Sequence, residues 1–225
     1  MAMEYILNDV IDIFEDHGRD ALEILNRHSG WIVWNLFLAF IPLVLSFWLY
    51  RRKTLSRSWV WWLAFIVFMA FLPNAPYLLT DIIHLLRATR AGYSVWLIAV
   101  VFIPLHVVAI LGGIEAYVMA VINQSYYLRR LGQKRWVLFS ELITHWLCAI
   151  GVYLGRFLRF NSWDLVTQPD EVIIRTLNEL TSKRPAFVML ILFVLITVVY
   201  WILKQITLGL ILRYRYFRLG KEVLE

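Results

Sequence analysis

The chain has 225 residues, 61% of them hydrophobic and 17% charged, with a formal charge of +6. A soluble domain is about half apolar and about a quarter charged, so a fold of this size in water could not bury its apolar side chains, and an ordinary cytosolic enzyme is excluded. The basic residues fall between long apolar runs, where loops meet anionic lipid, and not on a nucleic-acid face. One cysteine, Cys148, excludes an intrachain disulfide and a cysteine-based zinc site.

Residues 1–30 place Ile6, Leu7, Val10, Ile11 and Phe14 at helical spacing among seven acids and two basic residues. This acidic amphipathic segment is repelled by anionic lipid, so it is expected to pack on the protein or to dock a protein partner. It has no basic stretch followed by an apolar core, so the first span is expected to act as a retained insertion signal. A helical span needs about 20 mainly apolar residues. Trp31–Tyr50, Trp59–Thr80, Ser94–Ile122, Trp136–Leu154 and Ala186–Leu212 qualify. The expected fold is therefore an all-α integral membrane protein of about five transmembrane helices, with a helical domain over 31–212 and a basic cytoplasmic tail over 213–225. Twelve Lys and Arg flank the spans on the side of 51–57, 129–135 and the tail, against nine on the other side. That bias puts the N-terminus outside and the C-terminus in the cytoplasm. A second amphipathic helix follows Pro169, with Val172, Ile173, Thr176, Leu177 and Leu180 on one face, and is read as lying on the outer surface.

The second span carries the sharpest local feature, Pro73-Asn74-Ala75-Pro76. The uninterrupted apolar helix before it rises only about 21 Å, against a hydrocarbon core of about 30 Å. The span is therefore expected to break within the outer third of the membrane. Irregular backbone there is tolerated only against protein or a wet cavity, and a discontinuous helix often lines a binding site; the plainer alternative is a kink that shapes packing. Past the break, Asp81 and His84 share a helix face. On the same side of the membrane the stretch 154–164 presents Arg156 and Arg159 three apart, with Asn161 and Asp164 beyond. Guanidinium forks suit carboxylate or phosphate oxygens, so Asn74, Tyr77, Asp81, His84, Arg156, Arg159, Asn161 and Asp164 form a candidate outer pocket for a small polar or anionic ligand or a lipid headgroup. The alternative is a local cap and salt bridge.

Asn-Ala-Pro-Tyr-Leu-Leu-Thr-Asp-Ile-Ile-His (74–84) together with Leu-Gly-Arg-Phe-Leu-Arg-Phe-Asn-Ser-Trp-Asp (154–164) resembles an uncharacterised family of bacterial integral membrane proteins catalogued as domain of unknown function thirteen-sixty-one. The resemblance covers roughly half the chain, its middle and later spans. It implies a multi-pass bacterial membrane protein and supplies no reaction; the membrane is expected to be the cytoplasmic (inner) one.

A second polar layer lies nearer the cytoplasmic ends. Glu115, Glu141 and Lys204 are each about 8–12 Å from a helix end, with His145 one turn beyond Glu141. Charges inside a bilayer are costly unless paired or hydrated, so a Glu115/Glu141–Lys204 contact is expected, either as structural pairing or as part of a proton or substrate path. Gly112-Gly113 permits close helix approach. His106 and His145 lie at different depths, so bis-histidine haem ligation is not expected, and neither a metal nor another cofactor is called for.

Three functions fit. The first is binding or transport of a small polar or anionic substrate at the outer pocket. The second is a membrane enzyme acting on a lipid or lipid-linked headgroup, with Asp81 or His84 as base and Arg156 and Arg159 holding an anion. The third is an assembly or structural factor docked through the acidic segment. The chain lacks the Gly-x-Ser-x-Gly, His-Glu-x-x-His and Walker-type signatures, so none of them names a reaction.

Overall fold

A computed structural model describes residues 30–90 and 95–219, the side chains of 84, 85, 87 and 88 excepted. The acidic N-terminal segment, apart from Gly30, and the end of the basic tail fall outside the described residues. Five helices are long and apolar enough to cross a membrane, at 30–50, 59–81, 95–130, 134–158 and 183–218. There is no strand among the described residues. The helices outrun the apolar runs that announce them: α-helical bonding continues through polar flanks once the membrane segment has nucleated it. The 36-residue helices of the third and fifth spans each rise about 54 Å, well beyond the hydrocarbon thickness of about 30 Å.

The first helix, α1 (Gly30–Tyr50), turns through residues 51–58 into α2 (Trp59–Phe71). Ser58 caps α2 by accepting from the Trp61 amide, and the Trp61 indole donates to the Leu49 carbonyl, which ties the two helices together. Beyond α2 come a short helix α3 (Asn74–Tyr77), a tighter 3-10 turn (Leu78–Asp81) and α4 (Ile82–Arg90). The third span is α5 (Val95–Arg130) and the fourth is α6 (Lys134–Leu158). Each contains one wide π-type turn, at Ile98–Phe102 and Leu154–Leu158. The short α7 (Asp164–Thr167) and α8 (Pro169–Thr181) lead to the last span, α9 (Lys183–Arg218).

Side-chain contacts define the two ends of the bundle. At one end Asn35 meets Asp81 and Asn74 meets Ser162; at the other Arg130 donates to the Arg52 and Lys53 carbonyls. The fourth span is the most enclosed, with 44% of its apolar window buried against 17% for the fifth. Its buried stripe Glu141, His145, Cys148 and Val152 recurs at three- and four-residue steps, so one helix face links the two polar layers.

The second span is interrupted but not unwound. Leu72, Pro73 and Leu78 all keep right-handed helical dihedrals. The prolines remove donors, and the bonding shifts to a tighter step: the Ala75 amide donates to the Leu72 carbonyl. Phe71 loses its usual donor, and the Asn74 side-chain amide takes that carbonyl at 2.9 Å. The break is thus satisfied by protein, as a lipid surrounding demands. It also sits against glycines. A Cβ on Gly151 would lie 2.6 Å from the Pro73 ring, one on Gly113 would overlap Leu78, and one on Gly155 would lie 3.3 Å from the Tyr77 ring.

The helix after Pro169 forms, with a buried face narrower than its sequence pattern suggests. Val172 is buried and Leu180 packs beside it near Tyr153, Leu154 and Met189, while Ile173 and Leu177 are exposed. Tyr153 donates to Glu179 at 2.8 Å, and this bond orients α8 with Glu179 turned toward the bundle.

Candidate functional site

The cluster at the Asp81 end of the bundle, outer in the orientation expected from the sequence, is assembled from four segments. The 3-10 turn Leu78–Asp81 carries Thr80 and Asp81 at its end. The wide turn at Leu154–Leu158 carries Arg156 toward them. Arg156 donates from Nε and Nη2 to the Thr80 hydroxyl, at 2.8 and 2.6 Å, and its Nη2 forms an ion pair with Asp81 Oδ1. Asn35 of α1 donates to Asp81 Oδ2 at 3.1 Å. The guanidinium lies 4.4 Å from the centre of the Tyr77 ring, whose face attracts a cation. Asp81 is 2% exposed and Arg156 18% exposed.

The remaining residues of the expected pocket divide. Asn74 bridges the break to Ser162, donating at 2.8 Å, and so holds the 159–163 loop against the second span. Arg159 is exposed and sits at φ 62°, the left-handed position that ends the wide turn and reverses the chain. Asp164 accepts from the Asn161 amide at 2.6 Å, closing that loop, and does not join Asp81. The side chain of His84 lies outside the described residues. Tyr77, Asp81 and Arg156 thus converge, with Asn74 adjoining, while Asn161 and Asp164 serve the loop and Arg159 faces outward.

The inner layer centres on one carboxylate oxygen. Glu141 Oε1 accepts from Lys204 Nζ at 2.6 Å, from Ser125 at 2.6 Å and from the Tyr200 hydroxyl at 2.9 Å. The expected Glu115–Lys204 contact is not made: Glu115 accepts from Thr207 at 2.8 Å, because Thr207 is on the side of α9 that meets α5 at that depth. His145 does not bond Glu141 either. Its Nδ1 shares a 2.5 Å hydrogen bond with Tyr117, and its ring centre is 4.5 Å from that of Tyr200. Histidine one turn along a helix points past its neighbour when a closer partner stands on the facing helix.

Several residues in these clusters carry no signal that the sequence patterns above picked up. Tyr200 stands one turn before Lys204, so helical spacing could have found it, whereas Thr80 is marked only by adjoining Asp81. Asn35, Ser125, Thr207 and Ser162 meet their partners only across the bundle, and no local pattern marks them. His106 bonds the Phe102 carbonyl through Nδ1, and its buried Nε2 has no hydrogen-bond partner among the described residues. Among the described residues, no three His, Cys, Asp or Glu side chains gather closely enough to hold a metal ion.

Five apolar spans, with charged groups gathered in pairs between them, define a multi-pass helical membrane protein. A family model described as "Protein of unknown function (DUF1361)" matches residues 34–198, and the chain belongs to that family. The match runs from the first span into the last, a wider stretch than the two motifs that carry the resemblance; it takes in Asp81 and Arg156 and, of the inner layer, Glu115, Glu141 and His145, and stops before Tyr200, Lys204 and Thr207. No curated protein and no solved structure matches the chain.

Proposed function

We propose that this protein binds, or carries across the membrane, a small polar or anionic substrate at the outer end of its interrupted second span. The observation that carries the reading is the state of Arg156. Two of its nitrogens are anchored by Thr80 and Asp81, while Nη1 takes no hydrogen bond among the described residues and the side chain remains 18% exposed. A guanidinium held in register with an unused edge is pre-organised for a planar oxyanion. The Tyr77 ring lies against it, and His84 on α4 extends the same end of the bundle in sequence. In this reading the membrane is the cytoplasmic membrane of a bacterium, with the N-terminus outside; the Lys and Arg bias supports that orientation. The chain then comprises the acidic segment 1–30 as a docking element for a protein partner, the helical domain 31–212 and the basic tail 213–225.

The geometry also decides which variants give a clean test. Arg156→Gln breaks the buried Asp81–Arg156 pair, and breaking a buried pair costs about 3–5 kcal/mol, so loss of folding would mask loss of binding. Arg156→Lys keeps the charge and removes the fork. Purified protein is titrated with inorganic phosphate and with succinate while intrinsic Trp fluorescence and thermal stability are followed. The wild type should respond saturably to at least one anion, and Arg156→Lys should abolish the response while the protein stays folded. No response to either anion, or an unchanged response in Arg156→Lys, overturns the proposal.

A further inference from the structure

The third span holds a carboxyl much deeper than its apolar run implies. The helix continues from Val95 to Arg130, with Gly112 and Gly113 at its middle. Glu115 is therefore within one turn of that middle and about 22 Å from the Arg130 end. A hydrocarbon core of about 30 Å encloses that depth.

Its surroundings differ from those of Glu141, where an ammonium and two hydroxyls converge on one oxygen. Glu115 accepts one hydrogen bond, from the Thr207 hydroxyl at 2.8 Å, and forms no ion pair among the described residues. It is only half-buried. Val108 and Leu111 precede it on the same helix face, at seven- and four-residue steps, and both are exposed, as is Leu208 beside Thr207. The open side of the carboxyl thus belongs to a face that meets lipid.

The packed elements bring no cation to it. The α1 contact at this turn is Leu36 against Gly112, and the second span contributes Ala75 and Leu78 against Gly113. On α9, Lys204 stands one turn before Thr207, but its ammonium is held by Glu141 of α6. Tyr117 on α5 is bonded to His145 of α6, and Tyr200 on α9 to Glu141. An ionised carboxylate facing hydrocarbon without a cation is very costly, and such a group takes a proton instead. The hydrogen bond agrees: in the neutral acid one oxygen still accepts from Thr207 while the other holds the proton. A hard metal cation takes about six oxygens, whereas the Glu115 carboxyl meets only the Thr207 hydroxyl among the described residues.

We propose that Glu115 is a proton-binding site inside the bilayer, occupied as the neutral acid in this packed bundle and able to exchange its proton with solution. Thr207 positions the carboxyl. The site is separate from the Arg156 cluster and does not depend on the reading given for it.

The test treats the full chain in mild detergent with dicyclohexylcarbodiimide, a lipid-soluble reagent for protonated carboxyls. The carboxyl gives its proton to a carbodiimide nitrogen, its oxygen adds to the central carbon, and an O-to-N acyl shift leaves a stable acylurea. Peptide mass spectrometry then locates the adduct. Glu115 should be labelled at neutral pH, whereas Glu141, paired with Lys204, should not. Labelling of Glu115 should fall as pH rises, because only the protonated acid reacts, and should return in a sample brought back to neutral pH before treatment. Glu115→Gln should lose the adduct and keep the wild-type melting temperature, since the amide mimics the neutral acid and still accepts from Thr207. No adduct at Glu115, equal labelling of Glu115 and Glu141, labelling that is the same at every pH, or a large drop in melting temperature in Glu115→Gln overturns the proposal.

Discussion

The two buried ion pairs join the same chemistry to different scaffolds. Glu141–Lys204 stands on regular α-helical stretches of α6 and α9, and three donors converge on one oxygen from the facing elements. Asp81–Arg156 stands on a 3-10 turn and a wide turn, with Arg156 partly open. Regular helices saturate the inner carboxylate oxygen. Irregular backbone at the outer pair leaves one cation with a spare edge. A charge pair in a membrane thus becomes available for function where the helix that carries it departs from α geometry.

The comparison can be broken by removing one partner at a time. Lys204→Met should have the largest effect, because Glu141 would remain buried with only neutral donors. A loss of about 3–5 kcal/mol is expected in thermal or denaturant unfolding of the purified protein. The double variant Glu141→Gln with Lys204→Met should recover part of it, since no charge is then left unpaired. At the outer pair, Asp81→Asn should cost less than Lys204→Met, because the partly exposed Arg156 can regain water; equal losses would erase the distinction between the two scaffolds.

Packing at the break gives a smaller effect. Gly151→Ala forces a methyl group onto the rigid Pro73 ring, and overpacking of this kind costs about 1–3 kcal/mol. Gly112→Ala, whose Cβ would meet only Leu36 at an ordinary 3.6 Å, is the control and should be near neutral. A smaller loss than at Gly151 is expected at Asn74→Ala, which removes the hydrogen bonds to the Phe71 carbonyl and Ser162 and should lower stability by about 1–2 kcal/mol. If Asn74→Ala is silent, the interruption does not depend on its side-chain cap, and the prolines alone shape it.

The spans were legible because an apolar run of membrane length has few other uses, and the interruption was legible because proline lacks an amide. What the prolines leave open is the degree of disruption. Helical dihedrals persist through Leu72 and Pro73 because Asn74, Gly113 and Gly151 accommodate that conformation, and two of those three stand on other helices. The outer pair was half legible: Asp81 and Arg156 each appeared in a local motif, but so did Arg159, Asn161 and Asp164, which the chain reversal at Arg159 directs elsewhere. In the inner layer, similar depth pointed to Lys204 meeting an acid. Depth does not specify rotation about a helix axis, and rotation gives Lys204 to Glu141 and Thr207 to Glu115.

Hydrophobic length and missing backbone donors act locally along the chain. Residue order alone therefore establishes a five-span helical membrane protein with an interrupted second span. Which charges pair, which are enclosed and which keep an open edge follows from the packed bundle instead. Those outcomes depend on helix rotation and on glycine clearances between helices, and neither is written in the spacing of residues along one helix.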